Sequence, residues 1–168
     1  MEIKVPLYNV LNFFLTGIVS IGFLLMLFPS RITDFIMSDY YEKLSAMSEI
    51  IILVCICAVS YEIGLILNRA ASVTIEPILK KAKIIRYNDD YACFVKLAKK
   101  VPMLNTLSRE YALSRTSILQ FLMLLALAVI IKKWAMAAIF AVCVTVFTLS
   151  CRKHSLKITK IMHSPEEM

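Results

Sequence analysis

Glu62 has the sharpest chemical consequence of any residue in this chain, because its neighbours are apolar or only weakly polar. It sits in Ile50–Leu67, which reads IIILVCICAVSYEIGLIL, a run long enough to cross a bilayer as a helix. A carboxylate in such a run costs about 2.5–3.5 kcal/mol at mid-membrane and less near an end. It therefore needs a partner, a shielding cavity or a role. Glu62 lies five residues before Leu67, about 7–8 Å inside one end of its helix. Arg115 stands near the same depth at the inner end of a later apolar run. The expectation is an interhelical Glu62–Arg115 pair, with Tyr61 or Tyr111 helping. The competing uses are proton sensing, ion binding, or a ring of glutamates in an oligomeric pore.

A second pattern lies in the first apolar run. Asn9, Asn12, Thr16 and Ser20 are spaced 3, 4 and 4. At about 100° per residue they share one stripe narrower than a third of the helix circumference. Such a stripe lines a water-filled path if copies assemble in a ring. It equally serves as helix-packing glue, at under ~1 kcal/mol per hydrogen bond. One stripe cannot enclose a pore alone, so the pore use requires a homo-oligomer.

Catalytic signatures are missing. The sequence has no P-loop, GxSxG, HExxH or CxxC, so no enzyme, metal site or cofactor is expected. Cys55 and Cys57 are two apart and face different sides of a helix. With Cys93, Cys143 and Cys151 they read as small fillers outside any disulfide framework. Both histidines, His154 and His163, fall near the C-terminal end. Arg152, Lys153, His154 and Lys157 read as a basic flank facing anionic lipid. Asp89-Asp90 reads as a helix start. Tyr87, Tyr91 and Phe94 read as an amphipathic face rather than a base-stacking platform, so direct nucleic-acid binding is not expected.

The elements that must position these residues are helices. The chain is 60% hydrophobic with mean hydropathy +0.75, above the roughly 45–50% apolar content of soluble domains. The excess falls into four expected spans, at 7–28, 50–67, 117–131 and 134–150. The expected class is an all-α integral membrane protein, with four transmembrane helices in two hairpins and a basic helical cytoplasmic segment at 70–116. The whole of 1–168 is then one membrane domain. The first run is too long for a signal-peptide core, carries two asparagines early and is followed by no A-x-A site, so it reads as a retained span. With four spans, 15 of the 19 Lys and Arg residues fall on one side and 4 on the other. By the positive-inside rule both termini are cytoplasmic, in a bacterial inner membrane.

Between the spans, 30–49 reads as an outer interfacial loop in which Ser38 caps a helix running into the second span. Val73–Ile85 reads as one short helix begun near Glu76, and Asp89–Lys100 as an amphipathic helix with Tyr91, Phe94, Val95 and Ala98 on its apolar face. Asn105 or Thr106 caps a helix projecting about three turns beyond the third span. Arg115 and Lys132 snorkel from the short third span. Lys132 and Lys133 make a tight turn, and the last ten residues form a frayed tail.

This layout resembles the small membrane accessory proteins of type VI-B CRISPR systems, within the wider set of helical membrane effectors of bacterial antiviral loci. The positions that carry the likeness are Arg152 and His154 after the last apolar run, with the segments YEIGLILNR and LSREYALSR. That family is associated with a degenerate HEPN-like arginine/histidine motif. Here the fifth position after Arg152 is Lys157, and His163 lies eleven on. Lysine at its ordinary pKa is a poor general base, so nuclease activity is not expected. The resemblance implies a homo-oligomeric inner-membrane channel or permeabiliser, acting beside an RNA-guided nuclease as cytoplasmic partner. The alternative is a non-conducting scaffold or regulatory subunit docking a cytoplasmic protein through residues 74–115.

Overall fold

The computed structural model describes residues 7–30, 46–85 and 91–163. Over these residues the protein is all-α. Five helices follow one another: α1 (Leu7–Leu27), α2 (Ala46–Lys81), α3 (Tyr91–Lys100), α4 (Pro102–Ile130) and α5 (Trp134–His163). All except α3 are long and apolar enough to cross a membrane. Of the outer loop expected at 30–49, residues 31–45 with the Ser38 cap fall outside the described residues, as do Tyr87, Asp89 and Asp90, while 46–49 already belong to α2.

Three helices run well past the length a bilayer requires. α2 has 36 residues, α4 has 29 and α5 has 30, so they extend roughly 14–24 Å beyond a ~30 Å core. The separate helix expected at 73–85 is instead the continuation of α2, which passes through Pro77. Proline inside a helix costs about 3 kcal/mol. Here that cost is offset by burial of Ala71, Ile75 and Leu79 on the opposite stripe, the isoleucine and leucine each contributing up to about 1.5–3 kcal/mol. Likewise α4 starts at Pro102 with no side-chain cap, not at Asn105 or Thr106, because proline's fixed φ and missing N–H suit a first turn. The tail expected to fray from Thr159 is helical through His163, held by buried Ile158 and by Ile161 and Met162 against the core.

Two hydrophobic cores divide the molecule along these helices. At the end holding the α4–α5 turn, Leu27 of α1 packs with Phe121, Leu124 and Ala128 of α4 and Ala137 and Phe140 of α5. Phe23 meets Phe140 edge-on at 5.1 Å between ring centroids, and Phe121 stacks on Phe147 at 5.6 Å. At the far end, Ala71, Ile75 and Leu79 of α2 join Leu104, Leu107 and Tyr111 of α4 and Cys151 and Ile158 of α5. Phe94, Leu97 and Ala98 of α3 cover that second core. Leu97 therefore replaces the expected Val95, which is exposed. Position 97 lies three after Phe94, so it stays on the same face.

Two helix ends share one device. After α2, Ile84 N–H donates to Leu79 O and Lys83 N–H to Lys80 O, with Lys83 at φ 56°. After α4, Lys133 N–H donates to Ala128 O and Lys132 N–H to Val129 O, with Lys132 at φ 58°. Both are Schellman caps with lysine where glycine is usual. In the second, Lys133 Nζ also donates to Leu27 O at 2.7 Å and Met26 O at 3.2 Å. It thereby satisfies the carbonyl end of α1, where a cation is favoured by the helix dipole.

α1 and α2 touch backbone to backbone. A Cβ on Gly17 would land on the Ser60 carbonyl, and one on Gly64 would land on the Phe13 carbonyl. Ser60 and Gly64 are four apart, a small-xxx-small pair that lets two apolar helices approach closely. Ser60 is fully buried and returns its hydroxyl to Ile56 O at 2.7 Å.

Candidate functional site

Alongside the far core, and reaching toward the near one, runs a set of buried polar residues supplied mostly by α4. Ser114, Arg115, Thr116, Ser117 and Gln120 are all buried. Buried polar side chains need partners; Ser114 and Thr116 return hydroxyls to the i−4 carbonyls of Glu110 and Ala112, and further partners lie across the interface. Arg115 donates to the Glu76 carboxylate of α2, which also lies 3.2 Å from Lys80 Nζ. Thr116 donates to Asn68 Oδ1 at 3.0 Å, and the hydroxyls of Ser114 and Ser150 meet at 3.0 Å. His154 Nδ1 stands 3.1 Å from a Glu110 carboxylate oxygen, close enough for attraction but without the alignment of a hydrogen bond.

The expected Glu62–Arg115 pair does not form. Glu62 is exposed, and Arg115 is held by Glu76. The reason is side-chain direction: a helical side chain leans toward its helix N-terminus. From α4, Arg115 therefore reaches toward the far end, where Glu76 lies two turns beyond Asn68. Of the two tyrosines, Tyr111 serves Arg115, its ring lying 5.8 Å from the guanidinium carbon. Tyr61 turns to Phe13 of α1 instead, 6.0 Å away edge-on.

Thr16 and Ser20 of the α1 stripe face protein. Both are buried. Their hydroxyls return to Asn12 O at 2.8 Å and Thr16 O at 3.0 Å, and the Gln120 amide donates to Thr16 O at 3.2 Å. Within one chain these two positions are thus turned inward against α4. Asn12 is half-buried beside Asn68; the side chain of Asn9 lies outside the described residues. On α5, Arg152, Lys153 and Lys157 are exposed and form one shallow basic surface with Lys160. His154 departs from that flank, turned inward to Glu110.

Three cavities follow the seam between α2 and α4. A polar one of about 210 Å³ lies beside Glu76, Tyr111 and Arg115. The next, of about 170 Å³, is lined by Asn12, Thr16, Asn68, Arg109 and Thr116 among others. The third, about 460 Å³, is walled by Leu24, Ile63, Leu67, Met123, Leu127 and Ile130, with Ser20 and Gln120 as its polar groups. Among the described residues no cluster of three or more His, Cys, Asp or Glu could hold a metal.

Two features escape inspection of the sequence. Between Tyr61 and Ala71 the exposed positions are Glu62, Ile66 and Arg69. Cys55, Val59 and Val73, within flanks where most positions are exposed, continue that stripe at 4, 3, 4, 3 and 4, a spacing compatible with a helix seam. That signal is present in the letters but drowned by the apolar residues around it. The second is Ser60 with Gly64, legible only once Gly17 and Phe13 are known to oppose them. No protein family, curated protein or solved structure matches this chain.

Proposed function

We propose that this chain is a multi-pass inner-membrane protein that assembles with copies of itself along α2 and acts as a channel-type or permeabilising subunit. The observation that carries this reading is the exposed carboxylate of Glu62 in an apolar helix. Under the positive-inside orientation the N-terminal end of α2 is outermost, so Glu62 leans toward the bilayer centre and away from its nearer surface. A single copy leaves that charge against lipid, at about 2.5–3.5 kcal/mol if fully central. A ring of copies joined along Cys55, Val59, Glu62, Ile66, Arg69 and Val73 shields it around a shared interior. Thr16 and Ser20 take no part in that interior. A setting in antiviral defence and an RNA-guided nuclease partner rest on the resemblance alone.

A second reading has its own observation. The far halves of α2, α4 and α5, with α3, enclose a complete hydrophobic core and present exposed Arg152, Lys153 and Lys157. A non-conducting scaffold that docks a cytoplasmic protein needs such a body. Sizing the chain in detergent and measuring ion leak from liposomes separates the two. The channel reading expects an oligomer and a leak that Glu62→Gln changes. An oligomer in tight liposomes favours the scaffold, and a monomer removes the shared interior altogether.

A further inference from the structure

We propose that the cleft between α1, α2 and α4 binds one anionic phospholipid, with its headgroup phosphate against Arg109 and an acyl chain in the apolar groove beyond Gln120. Arg109 is half-buried and has no ion-pair partner among the described residues. The nearby acids are taken, since Glu110 faces His154 and Glu76 holds Arg115. Arg109 therefore brings an unneutralised guanidinium to a cavity it shares with the amides of Asn12 and Asn68. A guanidinium with neighbouring amides matches a phosphate, accepting on all sides.

One helical turn further along the same helices the polar groups run out. Thr16 and Thr116 line the mixed cavity that holds Arg109, whereas Ser20 and Gln120 line the almost wholly apolar one. The second, at about 460 Å³, lies within the ~300–1,000 Å³ of ordinary small-molecule sites. A cationic end followed by a hydrocarbon wall suits one amphiphile. Free phosphate would leave the groove unused, and a neutral lipid would leave Arg109 uncompensated. A lipid tail gains little by exchanging bilayer for an apolar wall, so the headgroup supplies the preference and the groove supplies the orientation. The site rests on the membrane reading above but not on assembly along α2.

The test is native mass spectrometry of the full chain in detergent with equimolar phosphatidylglycerol and phosphatidylcholine. One phosphatidylglycerol per chain is expected, retained several-fold over phosphatidylcholine. Arg109→Gln should bring that ratio close to one, while Arg152→Gln, on the exposed basic surface, should leave it unchanged. Ala126→Trp narrows the groove from an exposed position, leaves the charge intact and should abolish retention of both lipids. Thermal unfolding gives the second arm: phosphatidylglycerol should raise the midpoint of the natural chain but not of either cleft variant. Equal retention of the two lipids, a preference that survives Arg109→Gln, or an equal rise with inorganic phosphate alone would each overturn the proposal. A monomer that keeps the preference would retain this site while removing the assembly.

Discussion

Arg115 of α4 and Glu76 of α2, 39 residues apart, form an ion pair alongside the far core, each flanked on its helix by residues of that core. It ties together the two helices that contribute most to the far core. Losing one member of such a pair leaves the other charge buried, at about 3–5 kcal/mol. Glu76→Ala should therefore lower stability in detergent by roughly 3 kcal/mol, the low end because Glu76 is partly exposed. Glu62→Ala should change the stability of a dispersed chain by no more than about 0.5 kcal/mol. Equal losses from the two substitutions would mean that Glu62, not Glu76, carries the clasp.

The α1–α2 contact predicts a contrast among glycines. Gly17→Ala and Gly64→Ala place a methyl group on an opposing carbonyl, whereas nothing lies within 4 Å of a Cβ at Gly22. The first two should sharply reduce folded yield on size exclusion. Gly22→Ala should be tolerated, with a gain of up to ~1 kcal/mol from helix propensity.

Lys83 and Lys132 occupy the left-handed region, which costs an L-residue about 1–2 kcal/mol. Both side chains are exposed, so little else is lost on replacement. Lys83→Gly should stabilise the protein by about 0.5–1 kcal/mol, net of glycine's greater freedom in the unfolded chain. A fall in the unfolding midpoint would show that the lysine side chain makes a compensating contact.

Thiol chemistry tests the α2 seam directly. Cys55 is exposed at a seam position and Cys151 is buried. Mild oxidation in membranes should cross-link two copies through Cys55, and Cys55→Ser should remove that dimer. Cys151, and a cysteine introduced as Thr16→Cys, should resist thiol reagents until the protein unfolds. Rapid labelling of the Thr16→Cys variant in the folded protein would return the α1 stripe to an aqueous path.

Helix content and the four long apolar elements were legible because their signal is additive over many residues. The boundaries near Pro77 and Pro102 were not, the first because tertiary burial overrides a local signal and the second because one local signal displaces another. Pro77 reads as a stop, yet Ala71, Ile75 and Leu79 carry α2 past it. Asn105 and Thr106 read as caps, yet Pro102 supplies the first turn. The caps at Lys83 and Lys132 gave no warning because lysine is not the residue that geometry favours. In the sequence Arg115 reads as the partner that Glu62 needs. Depth along the chain suggested Glu62, but the lean of a helical side chain moves its charge by more than a turn, and that displacement selects Glu76.

α4 and α5 pass from one core to the other as continuous helices. Neither helix consequently has a joint between the cores. A load applied to the far end cannot be absorbed there by a swinging linker. It must tilt α4 and α5 as whole levers and reappear as tilt at the opposite end.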